Sequence, residues 1–429
     1  MTEHSTRTAA RRHPESPLAP DGFLWGAATS AFQIEGAPDS DWARWDPRDP
    51  ADTEARARGV GHRERTEADL ALLEEIGLNA YRFSVEWSRV VPARGAWNEE
   101  EVERYRRMAS RLRARGIEPV VTLHHFTSPA WLAAEGLDWT HEAFLFEFQR
   151  FAGRVIEALA ESVRVWVTLN EPNVQVGGGF LTGQTPPGRR GLHTAHDAVC
   201  NMLRAHAHLY ETIHAAVPAA VVGIAHNMIC FEPDRAHSRL DRWAARLADR
   251  VYNLDIPRAF ETGIVTLRAL PLNRVTAIPL PGRLDFLGVN YYTRAFVTFS
   301  VLDPRRHRYF WDDRTGRGLT QTGWEVYPQG FAEVLRSASR LGVPLVVTEN
   351  GAAESDADRK TAYLRDHLRV LEASRAEGLD IRGYFWWSLL DNYEWLAGLG
   401  PRFGLYHVDF DTLARTPTAT LAELARAAR

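Results

Sequence analysis

Eight short, apolar, β-rich runs alternate with stretches of helical periodicity, and no Pro/Ser-rich linker or shift of composition interrupts them after residue 20. Together these observations predict a single-domain (β/α)8 TIM barrel over residues 21–429. The length of 429 residues suits one large barrel with long loops as well as it suits two or three smaller domains. A doubly wound sheet is the competing arrangement, and it loses ground because no Gly-x-Gly-x-x-Gly follows the first strand.

The first strand is expected at Phe23–Ser30. A helix follows, with Leu70, Leu72, Leu73 and Ile76 on its apolar face, a Thr66/Asp69 capping box ahead of them and Gly77 placed to stop it. After the second strand, Ala80–Val85, Asn98 precedes Glu99, Glu100 and Glu101, which marks a helix start with carboxylates at the positive end of the dipole. The remaining strands are expected at Glu118–His125, Val163–Asn170, Val221–Asn227, Asp285–Tyr292, Pro344–Asn350 and Ile381–Ser388. Runs such as Val120-Val121 and Leu345-Val346-Val347 are continuous, as parallel strands covered on both faces require, whereas half-exposed antiparallel strands alternate. Long segments separate strands four and five and strands five and six, and loops on the C-terminal face of a barrel are where specificity is built.

Composition removes several function classes. Lys+Arg 51 against Asp+Glu 55 leaves a net charge of -4, without the basic excess that a phosphate backbone demands, so no nucleic-acid partner is expected. No apolar run approaches the ~20 residues of a membrane span. Lys360 is the only lysine, which removes a Walker-type phosphate lysine and nearly every route to a Schiff base. Cys200 and Cys230 are too few for a disulfide framework and read as buried thiols in a reducing compartment. Residues 1–20 are polar, with Arg11-Arg12 but no apolar stretch directly behind, so they read as a disordered tail and not a signal peptide, and a cytoplasmic location is expected. The 14 Trp residues suit stacking on the C–H face of sugars, and equally suit a core.

Catalytic groups of a barrel enzyme belong at the C-terminal ends of its strands. Strand four ends in Thr168-Leu169-Asn170-Glu171-Pro172 and strand seven in Thr348-Glu349-Asn350-Gly351, so each places a glutamate where an apolar run gives out. Two carboxylates converging from different strands are what cleavage of a glycosidic bond needs: one protonates the leaving oxygen while the other attacks the anomeric carbon or activates water. The alternative is a pair of turn carboxylates without chemistry. His193 and His196 share a helix face but lack a third nearby ligand, and His124 and His125 point to opposite sides of a strand, so no metal site is expected.

Phe23-Leu-Trp-Gly-Ala-Ala-Thr-Ser30, Gln33-Ile-Glu-Gly36, Tyr81-Arg-Phe-Ser84, Thr168-Leu-Asn-Glu-Pro172, Asn290-Tyr-Tyr-Thr293, Val347-Thr-Glu-Asn-Gly351 and Trp387-Ser-Leu-Leu-Asp-Asn-Tyr-Glu-Trp395 occur in this order. With them the chain closely resembles glycoside hydrolase family 1, the retaining β-glucosidase family, from Phe23 to Asp411. The resemblance implies a double displacement on a terminal β-glycoside without metal or organic cofactor. It implies Glu171 as acid/base and Glu349 as nucleophile, with Arg82, Asn290 and Tyr292 supporting the nucleophile. Ionised Glu349 is then expected to raise the pKa of Glu171. In the sugar pocket it implies Gln33, His125 and Glu394 on the hydroxyls, Asn170 on the 2-OH, Trp395 as an N–H donor, Trp387 as stacking floor and Trp324 near the aglycone. Three departures stand out: Phe126 where tryptophan is usual, an altered segment from Leu396 to Gly404, and no glycine-rich stretch in Asp39–Asp46. Charge repulsion from Glu394, and Pro401 in place of a lysine, favour a non-phosphorylated substrate. Rival readings are a galactoside or fucoside preference, transglycosylation, and a barrel that binds carbohydrate without cleaving it, which is expected to lose one carboxylate.

Overall fold

The computed structural model describes residues 18–19, 22–45, 50–267, 273–299 and 308–429. Strands β1 (Leu24–Ala28), β2 (Ala80–Ser84), β3 (Glu118–His124), β4 (Val165–Asn170), β5 (Val221–Pro233), β6 (Phe286–Thr298), β7 (Leu345–Asn350) and β8 (Ile381–Trp387) are all parallel to their neighbours. Pairing of β8 with β1 closes the sheet into the expected barrel. Successive side chains of each strand face opposite ways. One set, including Ala28, Ala80, Val120, Val165, Ala225 and Phe286, fills the barrel, and the other, including Tyr81, Val121, Trp166, Val222, Leu287 and Trp386, packs under the helices. Both faces are dry, which is why the strands read as continuous apolar runs.

Two strands outrun their expected ends. β5 and β6 continue six residues beyond Asn227 and Tyr292, paired from Cys230 opposite Arg294 to Pro233 opposite Val297, and the short strand Arg308–Phe310 adds antiparallel to the end of β6. The extension is built from Ile229, Phe231, Phe296 and Val297, residues that favour a pleated surface. It raises a ledge above the C-terminal face of the barrel.

Helices α1 (His62–Ile76), α2 (Glu99–Ala114), α3 (Glu142–Leu159), α4 (Leu192–Ala216), α5 (Arg239–Asp249), α6 (Asp255–Thr262), α7 (Pro328–Ser339), α8 (Ala357–Ala376) and α9 (Ala419–Ala427) cover the outside. Asn98 caps α2 as expected, its Oδ1 accepting from the Glu101 amide at 3.3 Å. Gly77 ends α1 with φ 80°, its N–H donating to the carbonyls of Leu73 and Glu74. The expected capping box is not formed. The helix begins earlier, at His62, and kinks at Arg65, so Thr66 Oγ1 donates back to the His62 carbonyl from inside it. Asp69 is instead buried, accepting from His62 Nδ1 and from the guanidinium of Arg415, each at 2.9 Å. This cluster ties α1 to the last strand segment.

The polar tail expected at residues 1–20 lies outside the described residues, apart from Leu18 and Ala19, which are buried in the inner cluster of the barrel. Among the described residues no helix is long and apolar enough to cross a membrane.

The Asp69 cluster sets a stability test. Burial raises the carboxyl's pKa, but His62 and Arg415 overcome it and hold the group below the ordinary aspartate value. Asp69→Ala leaves the buried Arg415 guanidinium without its carboxylate partner, and the expected cost is ~3–5 kcal/mol. The measurement is urea unfolding, with the midpoint lowered and the slope unchanged. A loss under about 1 kcal/mol would show an ordinary exposed ion pair.

Candidate active site

Strand register brings the polar strand ends together. Asn290 on β6 pairs with Asn227 on β5 and with Glu349 on β7, which sets the three residues side by side across the rim. Arg82 rises from β2 and Asn170 from β4, and Glu171 follows at the start of the short helix Pro172–Val176. Glu171 has φ 44°, in the left-handed region that a non-glycine residue avoids, and its N–H donates to the Ala225 carbonyl at 2.7 Å. The backbone there turns sharply into the cavity, and Pro172 suits the first helical position because its missing N–H would be unpaired.

The Arg82 guanidinium is fully buried and spends its donors on Glu349 Oε1 (2.6 Å), Asn170 Oδ1 (2.6 Å), the Thr348 carbonyl (3.2 Å) and Thr122 Oγ1 (3.1 Å). Tyr292 donates its hydroxyl to the other oxygen of Glu349 at 2.6 Å. Glu171 has no such cation. Its Oε1 accepts from the amides of Asn290 (2.8 Å) and Asn227 (2.9 Å). Asn290, expected beside the nucleophile, therefore hydrogen-bonds chiefly to Glu171, while still lying near enough to lower the Glu349 pKa.

Burial raises the pKa of both carboxyl groups, and their neighbours set them apart. Glu171 is pushed up to about 7, by burial first and by the charge of Glu349 second, so the sequence reading named the lesser cause. Glu349 is also raised by burial, but Arg82, Tyr292 and Asn290 all pull it back. Glu394 rises to about 8 through burial and then the charge of Glu349, with Gln33 Nε2 donating to it at 3.0 Å. A carboxyl that takes up its proton so readily repels phosphate weakly near neutral pH. The better ground for excluding a phosphosugar is that no lysine or arginine is found among the described lining residues.

A cavity of about 940 Å³ opens over both glutamates. His125, Asn170, Tyr292, Trp324, Trp387, Glu394 and Trp395 line it with them, while Arg82, Asn290 and Gln33 stand fully buried behind the wall. Gln33 spends its Nε2 on Asn392 Oδ1, the Tyr393 carbonyl and Glu394, which leaves only Oε1, buried and without a partner, for a ligand. The Asn170 amide nitrogen lies 3.1 Å from His125 Nε2. Burial, then the Arg82 charge, keeps that imidazole neutral, so with Nε2 accepting its proton sits on Nδ1, which is buried without a partner. The two adjacent histidines do face opposite ways: His124 packs against Trp139 and Phe148, and His125 stacks on Trp387 at 5.8 Å. His196 donates or accepts at Thr276 Oγ1 (2.8 Å), and among the described residues no cluster of metal-ligating side chains occurs.

The model of glycosyl hydrolase family 1 matches residues 16–422. The chain belongs to glycosyl hydrolase family 1. As a member it is a retaining β-glycosidase. It is 32% identical to β-glucosidase A of Thermotoga maritima over 92% of this chain and 94% of that protein, and 30% identical to a β-galactosidase of Pyrococcus woesei over 93% and 94%. Its fold superposes on a β-glycosidase from Pyrococcus horikoshii with a TM-score of 0.87 at 38% identity, covering 96% of this chain and 95% of that one. A Thermotoga maritima β-glucosidase in complex with glucoimidazole gives 0.84 at 30% identity, covering 95% and 98%.

Sequence reasoning missed several residues of this family 1 site. Asn227 ends the apolar run of β5 as Glu349 and Asn170 end theirs, and that position was its one signal. Tyr252, whose hydroxyl donates to Asn227 Oδ1 at 2.8 Å, gave none. Trp42 comes from the segment that begins at Asp39, where half-buried Asp41 accepts from the amides of Trp42 (2.8 Å) and Ser128 (2.9 Å). Trp42 meets Trp395 at 4.7 Å, and Phe403, from the altered segment, packs beside Tyr292 at 6.0 Å. Phe126 fills the position of the usual tryptophan edge-on to Trp395 at 5.0 Å, so the ring is retained and the indole N–H is not.

Asn227 gives a titration test. Its amide donates to the Glu171 carboxylate and favours the ionised form, so Asn227→Ala should move the Glu171 pKa upward from about 7. Carboxyl-carbon NMR titration reads the midpoint directly. A midpoint that stays or falls would show that the hydrogen bond does not bear on the charge of Glu171.

Proposed function

We propose that this enzyme hydrolyses terminal, non-phosphorylated β-D-glycosides, glucosides foremost, with Glu349 as nucleophile and Glu171 as acid/base. One observation carries the assignment of roles: of two buried carboxylates in one cavity, only Glu349 touches a cation. A nucleophile must be ionised, and Arg82 with Tyr292 favours that anion. An acid must hold its proton at the working pH, and a pKa of about 7 leaves Glu171 able to give one up and take it back.

In the first step Glu349 attacks the anomeric carbon while Glu171 protonates the departing oxygen, leaving a glycosyl ester on Glu349. Esterification removes the Glu349 charge, the second cause of the raised Glu171 pKa, so Glu171 then favours its base form and takes a proton from the incoming water. Another sugar in place of that water gives transglycosylation. Asn170, held between Arg82 and His125, is placed to meet the sugar 2-OH. Gln33 Oε1 and His125 Nδ1 are buried polar atoms without partners, and sugar hydroxyls satisfy both. Glu394 and the Trp395 N–H complete the hydroxyl set, above the face of Trp387. These are carboxylate and hydrogen-bond roles, which call on no metal or organic cofactor. A galactoside preference is the second reading, favoured by the relative named β-galactosidase. Cys200 and Cys230 are free, buried thiols that suit a reducing compartment, and action in the cytoplasm is part of the same proposal.

Glu349→Gly should abolish hydrolysis of aryl β-glucosides, and added azide should restore turnover with an α-configured product, because the small anion attacks from the vacated side. A β-configured product would count against the assignment. Glu171→Ala should slow alkyl glycosides far more than activated aryl glycosides, since only a poor leaving group needs the proton. Equal losses measured across leaving groups of graded pKa would remove Glu171 from that role.

A further inference from the structure

The cavity extends well past the glutamates, and the direction it takes is set by the chemistry. In the reading above Glu171 protonates the glycosidic oxygen, so the leaving group lies on the Glu171 side, away from Gln33, Glu394 and Trp387. Asn227 touches Glu171 on that side, and from it the extended β5 climbs away from the barrel. Its next lining side chains are Ile229 and Phe231. Facing them is one stripe of α4, where Leu192, Val199 and Leu203 recur at seven- and four-residue steps, and Val251 closes the wall beyond the end of α5.

Two features make this more than a packed core. Leu192 is 42% exposed and Val251 58%, so both leave apolar surface in water at the rim of a cavity that runs down to the catalytic carboxylates. Scattered exposed leucines are ordinary, whereas exposed apolar side chains bordering one apolar cleft mark a ligand surface. Several polar side chains at the foot of this wall are committed to one another, although Asn173 Oδ1 and Gln175 Oε1 line the cavity as buried acceptors without partners. Tyr252 donates to Asn227, Asn227 to Glu171, Asn173 Nδ2 to the carbonyls of Asn227 and Tyr252, and His196 pairs with Thr276. A second sugar reaching beyond those acceptors would bury hydroxyls against Ile229, Phe231 and Leu203, which offer no partner, and that is unfavourable.

We propose that the natural substrate carries a bulky apolar aglycone, an alkyl chain or fused ring system, and not a second sugar. The inference rests on the glycosidase reading and deepens it by naming the leaving group. The volume agrees, since about 940 Å³ lies near the upper end of the range for small-molecule sites and exceeds what one sugar ring fills.

The test is a series of methyl, butyl, hexyl and octyl β-glycosides of the sugar that an aryl-glycoside panel prefers, kept below their micelle concentrations, beside a fused-ring glycoside and cellobiose. kcat/KM should rise up to about fourfold per methylene until the cavity is filled, the equivalent of ~0.8 kcal/mol per buried CH2. Preference for the octyl or the fused-ring compound separates the two aglycone shapes. Val251→Asp and Leu192→Asp, both at exposed positions that tolerate charge, should each lower the octyl-to-methyl ratio of kcat/KM about tenfold or more. A flat series, cellobiose as the better substrate, or an unchanged ratio in both variants would overturn the apolar aglycone while the aryl panel still shows a glycosidase. Failure to cleave any aryl glycoside would instead defeat the glycosidase reading, and this inference with it.

Discussion

A guanidinium with no access to water has to find all its partners in the protein, and Arg82 finds them on three other strands. Its contacts reach Thr122 on β3, Asn170 on β4, and Thr348 and Glu349 on β7, so a single side chain from β2 links strands on opposite sides of the barrel. Below this level the barrel is filled by alanine, valine and phenylalanine, which offer a charge nothing. Desolvating an ion pair costs several kcal/mol per ion and is offset only by good geometry and further hydrogen bonds. The requirement that keeps Arg82 in the fold is therefore the same one that favours the anion of Glu349 and holds Asn170 in position.

The two glutamates are one residue type in one cavity, and their difference comes from neighbours alone. Glu349 has a cation and a phenol, and Glu171 has two amides and sits on a strained turn. The charge of Glu349 raises the Glu171 pKa, and that couples their titration. On the leaving-group side, the hydrogen-bond chain from Tyr252 through Asn227 ends on Glu171. In the proposed reaction, a wall that contacts the aglycone is thereby joined to the group that protonates it. The extension of β5 and β6 makes that wall, and with it the specificity we infer, out of the same strands that carry the chemistry.

The barrel was legible in the sequence because its strands are dry on both faces, and a run such as Leu345-Val346-Val347 is buried on either side there. Asn98 and Gly77 were legible too, since a cap depends on residues within one turn of it. Thr66 and Asp69 misled for the complementary reason: the spacing fits a cap, but His62 and Arg415, the latter far along the chain, take the Asp69 carboxylate for a buried cluster. Likewise β5 and β6 were ended at the first polar residue, although two strands that pair with each other can continue above the rim.

Glu171 and Glu349 were visible from sequence as carboxylates that end apolar runs, and the ordered motifs around them pointed to a family. Everything local in kind, from strand and cap positions to the residue types at strand ends, was fixed at that level, because each depends on a few adjacent residues. Register was not. That Asn290 meets Glu171 at 2.8 Å, that Asn227 lies in the same row, and that Tyr252 stands behind it follow from how strands slide and pair across a closed sheet. The pKa values depend on burial first, and burial belongs to the assembled barrel. The apolar wall, gathered from β5, α4 and the turn after α5, likewise exists only once tertiary packing has brought those segments to one side of the cavity.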